Sequence, residues 1–245
     1  MIVDAHVHTG KSTRLQINVD GEFLVRTADR LGFDKICVTD LTALFYDMHE
    51  GNYLLSQEMK KFPDRILGYA TISSTRFGQE ALDELERCRN DYGMRGLKIY
   101  STPDMSVAEP AIIPILEKCV ELGFPILGHL TPQECEYMLT AVPAVRIMMA
   151  HSGGQPFAKG DWSRAIMAAQ RHPNLYLETA SSTIDAAFLP TAVAAVGPDR
   201  IVFGTDTPLL DPYTQFARIR SSGLSSKSLG RIMGANILRL MGVEQ

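Results

Sequence analysis

Four of the six histidines in this 245-residue chain stand where short apolar runs end: His6 and His8 in "DAHVHTG", His129 in "FPILGH" and His151 in "RIMMAH". Asp206 closes another such run, "RIVFGTD". Neutral imidazole nitrogens together with a carboxylate oxygen suit Zn²⁺ first, and also Mn²⁺, Fe²⁺ or Co²⁺. Strand side chains alternate with period two, so His6 and His8 share a strand face, and Asp4 falls on that face by the same rule. A single strand-end histidine is ordinarily satisfied by a backbone contact, and Asp206 before "TP" also reads as a turn cap. Taken together, His6, His8, His129, His151 and Asp206 read as one metal site.

Such a site needs elements that bring distant residues to one place. Eight apolar or β-branched runs read as strands: residues 2–8, 34–40, 66–72, 95–100, 124–129, 146–151, 174–179 and 200–206. Segments with helical spacing alternate with them, such as "EFLVRTADRLG" and "GQEALDELERCRNDYG", several of them stopped by Gly or Pro. Alternation of strand and helix implies a parallel sheet, because parallel strands need crossover helices. Eight units predict an α/β fold: one (β/α)8 barrel domain over residues 1–245, with its active site at the C-terminal face of the strands. An open doubly wound sheet would offer a glycine-rich phosphate loop after the first strand. "HTGKST" is not one, since Ala5 stands where a P-loop requires glycine.

On this scheme Lys98 lies near the end of the fourth strand and Glu178 at the end of the seventh, both at the functional face. Substrate selection belongs to the loops at that face, where Lys11, Arg14, Arg76, Tyr100 and Glu178 are the candidate contacts, with Tyr46, His49 and Trp162 beside them. Glu178 has a second reading, as the acceptor that orients a ligand histidine. His172, ahead of the seventh strand, falls on the opposite face and reads as structural, and Met148 and Met149 as core filling.

A formal charge of -4 and the lack of a basic block give nucleic acid or a membrane surface no electrostatic support as partners. Four scattered cysteines without metal-finger spacing read as reduced thiols. No apolar run reaches the ~18 residues of a membrane span. These features set the expectation of a cytoplasmic enzyme with a small-molecule substrate, for which a homodimer is compatible.

"DAHVH", the "GH" of the fifth strand, "AHSGG", "FGTDTP" and "LGRIMGANILRLMG", in this order, resemble the amidohydrolase superfamily, in particular its amidohydrolase-related branch of compact barrels. The resemblance implies that His6, His8, His129 and Asp206 are metal ligands or near-ligands. It implies Asp206 as general base toward a metal-activated water, and His151 as the group that polarises substrate or moves a proton. It also raises carboxylation of Lys98 as a bridge between two metals; Tyr100, where the branch often carries histidine, departs from the pattern. One ion, with Lys98 a cation that orients substrate, is the expectation. The implied activity is hydrolysis of a small ester, lactone or amide. The alternatives are a non-oxidative decarboxylase or hydratase of a small carboxylic acid in the same cage, and a non-catalytic metal-binding barrel.

Overall fold

The computed structural model of the protein describes residues 1–75, 77–102, 104–153, 162–181 and 186–243. Its strands are β1 (Val3–Ser12), β2 (Ile17–Val19), β3 (Lys35–Asp40), β4 (Ile66–Thr71), β5 (Gly96–Tyr100), β6 (Ile126–His129), β7 (Ile147–Met149), β8 (Leu175–Glu178) and β9 (Ile201–Val202). All except β2 pair in parallel, in the order β1-β3-β4-β5-β6-β7-β8-β9, and β2 folds back antiparallel on the end of β1. Residues 203–207 close the ring against β1: Ala5 N donates to Phe203 O (3.0 Å), Asp206 N to His6 O (2.7 Å) and His8 N to Thr207 O (2.7 Å). The expected (β/α)8 barrel is the observed fold. The β1–β2 hairpin is an addition that the residue pattern did not show.

Alternation along the strands sorts the core into two layers. Ile36, Val38, Leu97, Ile99, Ile147 and Leu177 face outward onto the surrounding helices in one large cluster. Val3, Ala5, Cys37, Tyr69, Leu127, Met148 and Val202 face inward, where Leu238 and Met241 of the C-terminal segment close the end opposite the histidines. Each fully buried Leu, Ile or Val contributes about 1.5–3 kcal/mol of hydrophobic driving force, so the inner layer is a packed plug beneath the site. The four cysteines are free and buried. No described helix is long and apolar enough to cross a membrane.

The helices begin and end where their sequences say they should. Asp20 accepts from Phe23 N to cap Gly21–Leu31, which stops at Gly32 in the left-handed region. Thr131 and Glu134 form a capping box on Pro132–Ala141, directly after His129. Glu134 also accepts from Ser101 Oγ (2.7 Å) and Ser106 Oγ (2.5 Å), tying the loop after β5 to the helix after β6.

One expectation fails in β1. Asp4 does not share the face of His6 and His8. Asp4 pairs with Ile36 and Val7 with Val38, so β1 spends one residue more than β3 over the same length, which is a β-bulge. Val3 and Ala5 point inward before the bulge, and His6 and His8 do so after it. In a regular strand, the parity of Val3 and Ala5 would send both histidines out toward the helices. Asp4 instead turns to the outer side, accepting from His6 N (3.1 Å), Thr205 N (2.9 Å) and Thr205 Oγ1 (2.5 Å). Burial pushes its carboxyl up to about 7 despite these donors.

Candidate active site

A cavity of about 310 Å³ opens at the C-terminal end of the barrel, with His6, His8, Lys98, His129, His151 and Asp206 in its lining. The tightest group is His6, His8 and Asp206. Asp206 Oδ1 lies 2.9 Å from His8 Nε2 and 3.3 Å from His6 Nε2, and the two Nε2 atoms lie 3.2 Å apart. His6 Nδ1 is 3.1 Å from Glu178 Oε2, a contact that places the ring proton on Nδ1 and leaves a lone pair on Nε2. Burial holds both imidazoles below their usual pKa, so they are neutral at pH 7. For Asp206, burial pulls upward, but the hydrogen bond from His8 Nε2 opposes it and the carboxyl stays below its usual range. Two neutral imidazoles and an ionised carboxylate aimed at one point are a donor set that a divalent cation fits.

His129 and His151 complete the ring. Their rings lie 5.1 Å apart, and His151 lies 5.2 Å from His6. His129 Nδ1 faces Ser101 O at 3.3 Å. Burial first, then His151 and Lys98, push its pKa down to about 3, so it too is neutral. His151 and Asp206 both hold left-handed backbone, with φ of 58° and 61°. Such φ values cost non-glycine residues about 1–2 kcal/mol and persist where the surroundings over-determine them. The end of β8 does this for His151: its N–H donates to Glu178 Oε2 (2.9 Å) and its Nδ1 to Ala180 O (2.6 Å).

Glu178 sits behind His6 and not on the cavity wall. Its two oxygens are taken by His6 Nδ1, His151 N and Ala180 N (2.6 Å), the geometry of an acceptor that orients a histidine. Gly204 makes room for it: a methyl there would run into the Glu178 carboxylate and His6 Cβ. Lys98 is 1% exposed, and its Nζ lies 2.9 Å from His6 Nε2. Burial lowers its pKa to about 8, against the opposing pull of Asp206 and Glu178, so the ammonium predominates at neutral pH.

Of the other candidates, Arg14 and Tyr100 line the cavity. Tyr100 stacks on His129, with ring centroids 4.6 Å apart. Lys11 stands exposed on the β1–β2 hairpin opposite Asn18, outside the lining. Arg76 falls outside the described residues. Tyr46 Oη is engaged by Thr13, His49 is clamped between Glu80 and Glu84, and Trp162 packs on Phe188. The residue pattern missed the apolar wall: Leu41, Leu44 and Phe45 from the short helix Leu41–Phe45, with Leu209 and Leu210 after Asp206. The signal was available, because Asp40 ends a strand and accepts from Thr42 N and Ala43 N as a helix cap.

Residues 46–243 match the family described as Amidohydrolase. No curated protein matches. Among solved structures, 2,6-dihydroxybenzoate decarboxylase from Rhizobium is 18% identical, with 98% of each chain covered and a TM-score of 0.79. A dihydroxybenzoic acid decarboxylase from Polaromonas sp. JS666, with bound manganese and the inhibitor 2-nitroresorcinol, is 17% identical over 98% of this chain and 96% of that one (TM-score 0.78). 4-Oxalomesaconate hydratase from Rhodopseudomonas palustris is 18% identical over 99% and 96% (TM-score 0.75). At these identities the likeness is one of fold.

Proposed function

The chain belongs to the amidohydrolase family, and from that premise we propose that it is a metal-dependent enzyme catalysing non-oxidative decarboxylation of a small aromatic or enoic carboxylic acid. Lys98 carries this reading. An ammonium buried at the cage, making no ion pair with a carboxylate among the described residues, is suited to an anionic substrate. The apolar wall of Leu41, Leu44, Phe45, Leu209 and Leu210 fits a flat hydrocarbon skeleton. The decarboxylases and the hydratase of the same fold support the choice of lyase over hydrolase.

His6, His8 and Asp206 would hold one divalent ion, with His129 and His151 beside it. Bound there, the ion would supply Lewis acidity toward substrate oxygens. The nitrogen-rich donor set suits zinc, and the manganese of the Polaromonas structure makes that ion the first alternative. The chain's own groups do the rest. Lys98 Nζ, 2.9 Å from His6 Nε2, turns to the substrate carboxylate. Loss of CO2 leaves the electron pair of the broken C–C bond on the substrate carbon, and that carbon must take up one proton. His151 delivers it from Nε2, because its Nδ1 is committed to Ala180 O. Asp206 stays ionised, and the apolar wall keeps bulk water from the carbanionic centre. The whole chain, residues 1–245, acts as the one catalytic domain.

The test is CO2 release from hydroxybenzoates and conjugated enoic acids by the zinc- or manganese-loaded protein. Release that falls at least ~100-fold in Lys98→Met, with metal content retained, is the expected result. Hydrolysis of lactones or esters without CO2 release from any acid would replace this reading with the hydrolase. Addition of water to the enoic acids without CO2 release would make it a hydratase.

A further inference from the structure

The cavity at the cage does not end at its outer wall. A second chamber of about 240 Å³ shares Arg14, Leu44, Phe45 and Tyr100 with it, so these four side chains form a partition reached from both sides. Arg14 lies over the Phe45 ring at 5.8 Å, and Tyr100 meets Phe45 edge-on at 5.9 Å. Beyond the partition the lining changes character. Ser73, Ser74, Thr75 and Thr102 bring hydroxyls, no described carboxylate lines the chamber, and Arg14 is its one described charge. Among the described residues, Arg14 makes no ion pair, and the side chains of Ser74, Thr102 and Tyr100 make no hydrogen bond. The next cavity along the surface, past Ser73 and Thr75, is lined by Asp47, His49 and Glu80, with Glu80 paired to His49 at 3.0 Å.

We propose that this outer chamber is a second substrate subsite that binds an oxyanion-bearing arm at Arg14, so that the substrate carries two anionic groups, one at the cage and one across the partition. The inference rests on the carboxylic-acid reading of the cage. Its physical basis is charge and hydrogen-bond supply. A guanidinium offers five donors in a planar fork that matches a carboxylate or a phosphate. Its stacking on Phe45 limits the freedom lost on binding, and the neighbouring hydroxyls can fill the remaining acceptor positions of the anion. A neutral or cationic arm would leave the guanidinium unanswered. The flat head belongs between Leu41 and Leu210, with the arm leaving past Tyr100, which makes Arg14 the residue that selects among carboxylic acids of similar head.

Calorimetric titration of the metal-loaded protein tests this with the 3- and 4-isomers of (2-carboxyethyl)benzoate, their neutral 2-carbamoylethyl counterparts and the corresponding phosphonoethyl benzoates. In the wild type, at least one dianion is expected to bind roughly tenfold or more tighter than its amide counterpart, the size of a charge-assisted contact. In Arg14→Ala that ratio should fall below about twofold, and Arg14→Lys should keep part of it. A larger gain with the phosphonate assigns a phosphate-bearing arm, and with the carboxylate a dicarboxylic acid. Equal affinity for dianion and amide in the wild type, or a ratio that survives in Arg14→Ala, overturns the second subsite while leaving the cage reading intact. If no benzoate binds, or if all bind equally well to Lys98→Met, the reading of the cage itself fails.

Discussion

Replacing Glu178 by Gln separates two jobs that one carboxylate performs. Oε2 accepts from His6 Nδ1 and His151 N, and Oε1 accepts from Ala180 N, so three buried donors share two oxygens. Gln keeps the shape with one acceptor oxygen. Its best orientation leaves that oxygen on the two histidine residues and turns the NH2 toward the Ala180 N–H. A buried donor without an acceptor costs about 1–3 kcal/mol, which at this chain length lowers Tm by about 2–4 °C per kcal/mol. At His6 the loss is different. A neutral oxygen replaces a charged one, and charge-assisted hydrogen bonds are about twice as strong as neutral ones. That weakens the hold on the His6 tautomer and ring by about 1–1.5 kcal/mol, or roughly tenfold in metal affinity, the low end of what orienting acceptors contribute. Melting of the metal-free protein reads the first effect, and competition with a chromophoric chelator for Zn²⁺ reads the second. A lowered Tm with metal affinity within twofold of wild type would refute the claim that Glu178 orients His6 and reduce it to a structural acceptor.

Gly204→Ala should destabilise by about 1–3 kcal/mol, because the added methyl meets the Glu178 carboxylate and His6 Cβ; a melting curve superimposable on wild type would show that the neighbours can give way. Elemental analysis of protein purified without chelator should find about one equivalent of divalent metal, absent from the His6→Ala/His8→Ala double variant. Two equivalents would bring Lys98 into the site as a carboxylated bridge. Asp40 gives a pH prediction away from the cage. Burial raises its pKa from 3.8 to about 6, so its favourable contribution is fully present below pH 4 and is lost as pH rises through 6, a change of about 3 kcal/mol. Asp40→Asn, which cannot titrate, should therefore gain on wild type by about that amount between pH 4 and pH 8 in urea unfolding, and parallel pH profiles would contradict the assignment.

The barrel was legible because its signals are repeated. Eight apolar runs separated by helical spacing leave few alternatives, and the chemically unusual residues collected at one end of those runs. The convergence of His6, His8, His129, His151, Lys98 and Asp206 on one cavity followed from that placement. What the pattern misread were events of a single residue. Period two placed Asp4 beside His6, but the bulge between Asp4 and Val7 cannot be seen in a string whose residues are all strand-compatible. The last strand looked seven residues long, yet only Ile201–Val202 form a ladder, because the segment after it turns to meet β1 and puts Asp206 in left-handed backbone. Glu178 was placed at the right end of the right strand, and only packing decides that it stands behind His6 instead of facing substrate. The apolar wall escaped because Leu41–Phe45 is too short for helical periodicity to register.

The bulge and the strained residues belong to one arrangement. A barrel strand presents alternate side chains to the interior, and the plug beneath the site uses Val3 and Ala5 of that set. For the same strand to deliver two histidines above the plug, its parity must change between them, and the extra residue of the bulge does this. The change also frees Asp4 to turn outward and bind Thr205 N and Oγ1, beside Asp206. Asp206 N in turn donates to His6 O, so the first and last strands fix each other at the point where their side chains meet. The first strand and the segment after the last one thus carry the closest triad of donors, His6, His8 and Asp206. The cage therefore forms only when the barrel closes, and metal binding should report closure of the ring as well as occupancy of the site.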